Sequence, residues 1–236
     1  MTFGIIGAME EEVIYIKEKM EVLSSRNVAG IQFFIGRMHG KNIVIARCGI
    51  GKVNAAVCTQ IMVDMFGVDS VINTGVAGSM NNDVHLGDVV ISTDLVQHDF
   101  DTSAFENEPI GFIPRLGIRF FEADKQLVDT ALQSAGAVLS PSGAKAHKGR
   151  IASGDQFITE NELKAKIAKN FKPLCVEMEG AAIAHTCYLN DMPFIVIRSI
   201  SDNSDGDTKT YGDYLTVAAK NSSDIVEKIV SSYTPL

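Results

Sequence analysis

Three segments place carboxylates where an apolar run gives way to a loop or helix. They are Gly7-Ala8-Met9-Glu10-Glu11-Glu12, Val176-Glu177-Met178-Glu179-Gly180 and Arg198-Ser199-Ile200-Ser201-Asp202. Separated carboxyl groups in one crevice can divide acid and base work between them. In α/β sheets the crevice lies beyond the carboxyl ends of the strands, so segments of this kind can converge there. Each also has a structural reading. Glu10 to Glu12 suit the positive end of a helix dipole, and Asp202 suits a turn or an N-cap. Glu177 and Glu179 flank a methionine in an apolar stretch, and buried acids are rare unless paired or functional.

Glycine loops are the second signal. Gly49-Ile50-Gly51-Lys52 precedes a helical pattern but has Asn54 where a dinucleotide fingerprint needs its third glycine. Close helix–strand packing accounts for these glycines equally well. Gly75-Val76-Ala77-Gly78 suggests a backbone that approaches a ligand closely, through Val76, Ala77 and Gly78. The five histidines show no metal-ligand spacing, and the four cysteines contain no C-x-x-C pair. Neither a metal nor another cofactor is expected.

These residues need a frame. Strands are expected at Phe3–Ile6, Ser70–Asn73, Val89–Ser92, Lys148–Ser153, Leu174–Val176 and Phe194–Ile200. Val28–Ile35 and Ile43–Cys48 read as a hairpin turning at His39 to Asn42. Helical spacing covers Glu10–Met20, Lys52–Met65, Asp124–Ala135, Glu179–Leu189 and Tyr211–Val230. Thr159 to Glu162 match a capping box opening a helix to Asn170. Asp101 to Gly117 form a long irregular stretch, with a strand ending at Asn73 and a loop at Thr74 to Gly78 before it. The alternation predicts one α/β domain over residues 1–236, a three-layer α/β/α arrangement around a mixed, largely parallel, twisted sheet.

Composition excludes several function classes. A net charge of −8 leaves no basic face for nucleic acid. The apolar start at Met1 to Met9 runs into Glu10 to Glu12 and lacks the basic opening of a signal peptide. No apolar run reaches the length of a membrane span, and scattered cysteines fit reduced thiols. A cytoplasmic protein with no membrane partner is expected.

Taken in order, the segments resemble the 5′-methylthioadenosine/S-adenosylhomocysteine nucleosidases of the nucleoside phosphorylase superfamily. The resemblance rests on Gly4 to Glu12, Gly49 to Val53, Asn73 to Gly78, Ser153-Gly154-Asp155, Val176 to Glu179, Ser199 to Asp202 and Val217 to Lys220. It implies that Asp202 protonates adenine at N7, that Glu12 is the base for the attacking water, and that Glu179 grips the ribose hydroxyls. An aspartic acid in that role must hold a proton near neutral pH. The resemblance further implies that Phe157 stacks on adenine, with backbone groups of Ile158 reading its edge. Met178 would pack on the ribose, and Arg198 would hold Glu179 or the water network. Ser201 belongs to the same set as Asp202. Met9 and Ile50 would form the slot for the thioalkyl group, closed by Tyr211, and Phe105 would be donated to the neighbouring site of a homodimer. Core packing is the alternative for Met9, Ile50 and Met178.

The related phosphorylases attack with phosphate. In those relatives an arginine follows the first glycine loop, and arginine and serine flank the second; here Glu10 to Glu12, Asn73 and Val76 occupy the positions. Carboxylates beside a phosphate would repel it, so the expectation is hydrolysis. Val76 stands where some family members carry serine, which removes a possible hydrogen bond. Alternatives are a nucleosidase for another 5′-substituted adenosine or aminodeoxyfutalosine, and a non-catalytic nucleoside-binding relative. The presence of Glu12, Glu179 and Asp202 together argues against the last. Methylthioadenosine salvage is one compatible use.

Overall fold

The computed structural model describes residues 1–203 and 208–234, without the side chains of residues 105, 106 and 208–213. In chain order the elements are β1 (Thr2–Gly7), α1 (Glu10–Lys19), β2 (Glu21–Val28), β3 (Ile31–Met38), β4 (Lys41–Arg47) and α2 (Lys52–Phe66). Next come β5 (Ser70–Ser79), β6 (Val89–Gln97), α3 (Ser103–Glu106), β7 (Phe121–Glu122), α4 (Lys125–Leu139) and β8 (Ala146–Ser153). The chain ends with α5 (Asn161–Phe171), β9 (Cys175–Glu177), α6 (Gly180–Leu189), β10 (Phe194–Asp202) and α7 (Thr208–Ser232).

One mixed sheet carries the molecule. Its centre, β4-β1-β5-β10, is parallel, and so is β6-β8-β9. These two parallel groups meet through the antiparallel pairs β10–β6 and β5–β9. The order is therefore cyclic over β5, β10, β6, β8 and β9, while β1, β4, β3 and β2 continue outward as open sheet. Helices α1, α4 and α7 pack together, and α2 packs with α6, giving two helical layers around the strands. β5 and β10 are buried along their whole lengths, and Phe194 to Ile197 of β10 show the continuous apolar run of a strand covered on both faces. The four cysteines are buried and form no disulfide. Among the described residues no helix is long and apolar enough to cross a membrane.

Several local expectations change. Residues 74–78 are not a loop but the second half of β5, because the strand continues past Gly75 to pair with both β10 and β9. The hairpin is β3–β4, and His39 and Gly40 turn it with φ of 51° and 76°, the left-handed pair of a two-residue loop. A further strand, β2, joins it through Ala29 and Gly30, with φ of 52° and 78°. The capping box at Thr159 does not form: Glu160 is the N-cap of α5 and no side chain caps it. Thr159 then lies one residue too early to reach the first free amides.

Candidate active site

The site is built where the two parallel groups of strands meet. β1 leads through Ala8 and Met9 into α1, whose first turn carries Glu12. Glu10 and Glu11 are exposed, whereas Glu12 is buried. Glu12 Oε2 accepts the amides of Ala8 (2.6 Å) and Met9 (3.0 Å), and Oε1 accepts that of Val76 on β5 (3.0 Å). The first two bonds satisfy free donors at a helix start. The third joins this turn to the sheet, and it occupies the Val76 amide. Burial pushes the Glu12 carboxyl up; Arg198 and the three amides pull it back, but it stays above the ordinary value.

Gly75 makes this approach possible. A Cβ at residue 75 would overlap Glu12 Oε1 and come within 3.0 Å of Arg198 Nη1. Gly75→Ala is therefore expected to lower turnover by about 10²-fold through displacement of Glu12 and to cost about 1–3 kcal/mol of stability. Turnover and thermal melting measure both; an unchanged rate would show that the Glu12 position is unimportant.

Arg198, on β10, is 1% exposed and is the largest fully buried side chain among the described residues. Its Nη2 donates to Asn73 Oδ1 (2.6 Å) and to Glu177 Oε2, and lies 3.7 Å from Glu179 Oε2. Of the two expectations for Arg198, holding Glu179 or the water network, the first has a geometric counterpart in this longer ion pair, while Glu177 is the hydrogen-bonded partner. Glu177 also accepts the Ser153 hydroxyl through Oε1 and the amides of Glu179 (3.0 Å) and Gly180 (2.7 Å) through Oε2. The carboxylate therefore sits at the positive end of α6. Burial opposes its ionisation, yet the charge of Arg198, the Ser153 hydroxyl and the Gly180 amide hold it below the usual carboxylate range.

Glu179 is the N-cap residue of α6 and accepts the Gly51 amide at Oε1 (2.9 Å). Burial and then the neighbouring Glu177 charge push it up to about 8, against the pull of Arg198 and the Gly51 amide. One guanidinium thus faces three buried carboxyl groups, Glu12, Glu177 and Glu179. With one cation for three acids, Glu179 favours its protonated form near neutral pH. Because the folded pKa is raised, the protonated Glu179 contributes stability that is complete below the ordinary value of 4.5 and lost as pH rises through about 8. Relative to Glu179→Gln, the wild-type melting temperature is expected to fall from about pH 5 to about pH 8 and then level off. A difference that does not vary with pH would contradict this account of the cluster.

Asp202 ends β10, 6% exposed, and Ser201 Oγ donates to its Oδ2 (3.0 Å). The register with β5 shifts here: Ile200 faces Ala77 and Asp202 faces Gly78, leaving Ser201 as an extra residue. Successive strand residues ordinarily point to opposite faces. The irregularity allows Ser201 and Asp202 both to line the same cleft.

That cleft spans about 610 Å³, its solvent-open mouth included. Met9, Ile50, Val76, Ala77, Gly78, Phe157, Ile158, Met178, Glu179, Ser201 and Asp202 all line it. Glu12 and Arg198 lie behind its floor, through the Val76 amide and Glu177. Phe157 is 54% exposed at the rim, while the side chain of Ile158 is buried. The side chains of Phe105 and Tyr211 lie outside the described residues. Sequence reasoning did not assign Ala8, Gln156, Val176 and Glu177 to the lining. The signal for Glu177 was present: two opposite charges inside apolar strands require each other.

The phosphorylase superfamily model matches residues 2–231. A 5′-methylthioadenosine/S-adenosylhomocysteine nucleosidase of Staphylococcus aureus is 42% identical over 230 residues, covering 97% of this chain and 98% of the relative. Among solved structures, the nucleosidase of that description from Neisseria meningitidis, in complex with methylthio-immucillin-A, has a TM-score of 0.92 and 38% identity, covering 98% and 99% of the two chains. A futalosine hydrolase of Helicobacter pylori has a TM-score of 0.90 and 36% identity, covering 98% of each. Near-complete coverage at these identities joins the mixed sheet and the carboxylate-lined cleft to one lineage: the chain belongs to the 5′-methylthioadenosine/S-adenosylhomocysteine nucleosidases, N-ribosyl hydrolases of the phosphorylase superfamily.

Proposed function

We propose that this chain hydrolyses the N-glycosidic bond of 5′-methylthioadenosine and S-adenosylhomocysteine, releasing adenine with methylthioribose or S-ribosylhomocysteine. The observation that carries the reading is the spacing of acids around one cleft. Asp202 lines it beside Ser201, Glu179 lines it near Gly51, and Glu12 lies under its Val76 wall. Asp202 gives its proton to N7 of adenine as the bond breaks, since an unprotonated purine anion leaves poorly. Glu179 grips the ribose hydroxyls and, in its ionised form, supports the cationic sugar. Glu12 orients and deprotonates the attacking water. Separated carboxyl groups that leave room for water are the arrangement of inverting glycosidases.

Phe157 offers adenine a face, the Ile158 backbone reads its edge, Met178 meets the ribose, and Met9 with Ile50 takes the thioalkyl group. No cofactor enters this scheme. Hydrolysis is supported over phosphorolysis by the commitment of the buried Arg198 to Glu177 and Asn73, which leaves that guanidinium unable to receive a phosphate.

The same reading carries a homodimer that shares Phe105 across the interface. It is supported by an apolar stripe on α2, where Val53 is 74%, Val57 40% and Met65 42% exposed, beside Tyr188 and Leu189 on α6. A cytoplasmic site of action, as for methionine salvage, fits four cysteines that form no disulfide.

The likeness to a futalosine hydrolase supports a second reading, cleavage of aminodeoxyfutalosine in the same cleft. Adenine release from each nucleoside in phosphate-free buffer separates the two. Methylthioadenosine and S-adenosylhomocysteine are expected to have kcat/KM at least about ten-fold above adenosine, from the added apolar contact at the 5′ end. A preference for aminodeoxyfutalosine would establish the second reading instead.

A further inference from the structure

A closed circuit of hydrogen bonds lies outside the cleft and ties together two segments that line it. Lys52, the first residue of α2, donates its backbone amide to Asp155 Oδ1 (2.8 Å). Asp155 in turn donates its amide to Asp99 Oδ2 (2.9 Å), and Asp99 Oδ1 accepts Lys52 Nζ (2.6 Å). Lys52 Nζ also donates to Gln97 Oε1 (3.1 Å). The Asp99 carboxylate is partly buried; the Lys52 ammonium and the Asp155 amide overcome that burial and keep it ionised.

Both segments end on groups the reaction uses. Before Lys52 comes Gly51, whose amide reaches Glu179, and before that Ile50, at the cleft wall. After Asp155 come Gln156, Phe157 and Ile158, also at the wall. Gly51 has a φ of 100°, and a Cβ there would lie 3.0 Å from Asp155 Oδ1. The two segments are therefore pressed together at a point where only glycine fits.

We propose that Asp99 is a positioning residue, which through Lys52 and Asp155 fixes the base-side loop against the ribose-side turn. The proposal rests on the nucleosidase reading above. A nucleoside spans both segments, whereas adenine alone meets only the base-side one. Loosening the circuit thus leaves adenine binding intact and impairs the reaction, since small misplacement of reacting groups is costly in rate.

The test compares wild type with Asp99→Asn, Asp155→Ala, which removes the acceptor of the Lys52 amide, and the double variant. Asp155 is exposed, so its variant keeps the fold even where Asp99→Asn does not. Each single variant is expected to lose about ten-fold or more in kcat/KM for methylthioadenosine, with the Kd for adenine within about two-fold of wild type. Because one circuit is broken either way, the double variant is expected to match the worse single variant and not the product of both losses. Unchanged kcat/KM in Asp155→Ala, multiplicative losses, or parallel weakening of adenine binding would each overturn the proposal. An inactive wild-type enzyme would instead refute the nucleosidase reading on which it stands.

Discussion

Asp202→Asn is expected to lower kcat for adenine release by about 10²–10⁴-fold, the contribution of a positioned general acid. Asparagine has nearly the same shape and still accepts the Ser201 hydroxyl, which in the native chain lies 3.0 Å from Asp202 Oδ2. Melting temperature and adenine affinity are therefore expected to change little. What asparagine lacks is a proton that it can give to N7. The loss is expected to shrink with a nucleoside whose leaving group departs readily without protonation, because such a substrate does not need the acid. Near-normal turnover of methylthioadenosine, or an equal loss for both leaving groups, would remove Asp202 from that role.

Glu12→Gln is expected to produce a loss in kcat of similar size, about 10²–10⁴-fold, with a different accompaniment. The native carboxylate accepts three backbone amides, two at one oxygen and one at the other. A glutamine must turn its NH₂ toward either the Ala8 and Met9 amides or the Val76 amide, donor against donor. Leaving buried donors unsatisfied costs about 1–3 kcal/mol each, so this variant is expected to melt lower, unlike Asp202→Asn. Measurement of both variants by turnover and melting distinguishes the two. A Glu12→Gln enzyme that melts lower but turns over normally would make Glu12 a brace for β1 and β5 and not the base.

The carboxylates were legible in the sequence because acids inside apolar runs are conspicuous, and the ends of β1, β9 and β10 do bring them together. Met9, Ile50 and Phe157 entered through the family resemblance, and they follow strands β1, β4 and β8 onto the cleft wall. What could not be read was how strands with distant sequence positions close on one another. Nothing in Ser70 to Ser79 signals that a single strand pairs with β1, β10 and β9 in turn, so its glycines suggested a loop. The bulge at Ser201 is likewise a property of register with β5 and leaves no trace in the local pattern. β2 escaped notice for the opposite reason. It is exposed over nearly its whole length, and with no buried face it has no alternation to detect. For Glu177 the residue type was informative, but its partner lay 21 positions away on another strand. Only the fold shows that Arg198 neutralises Glu177 first, leaving Glu179 to hold a proton up to about pH 8.

In the proposed mechanism water, activated beside Glu12, takes the place of adenine on the sugar. Turnover of methylthioadenosine in oxygen-18 water without phosphate, with the sugar product read by mass spectrometry, separates this from every phosphorolytic scheme. The expected product is free methylthioribose carrying one labelled oxygen at the anomeric carbon, formed at a rate that added phosphate does not raise. A sugar 1-phosphate, formed only when phosphate is supplied, would rule the mechanism out.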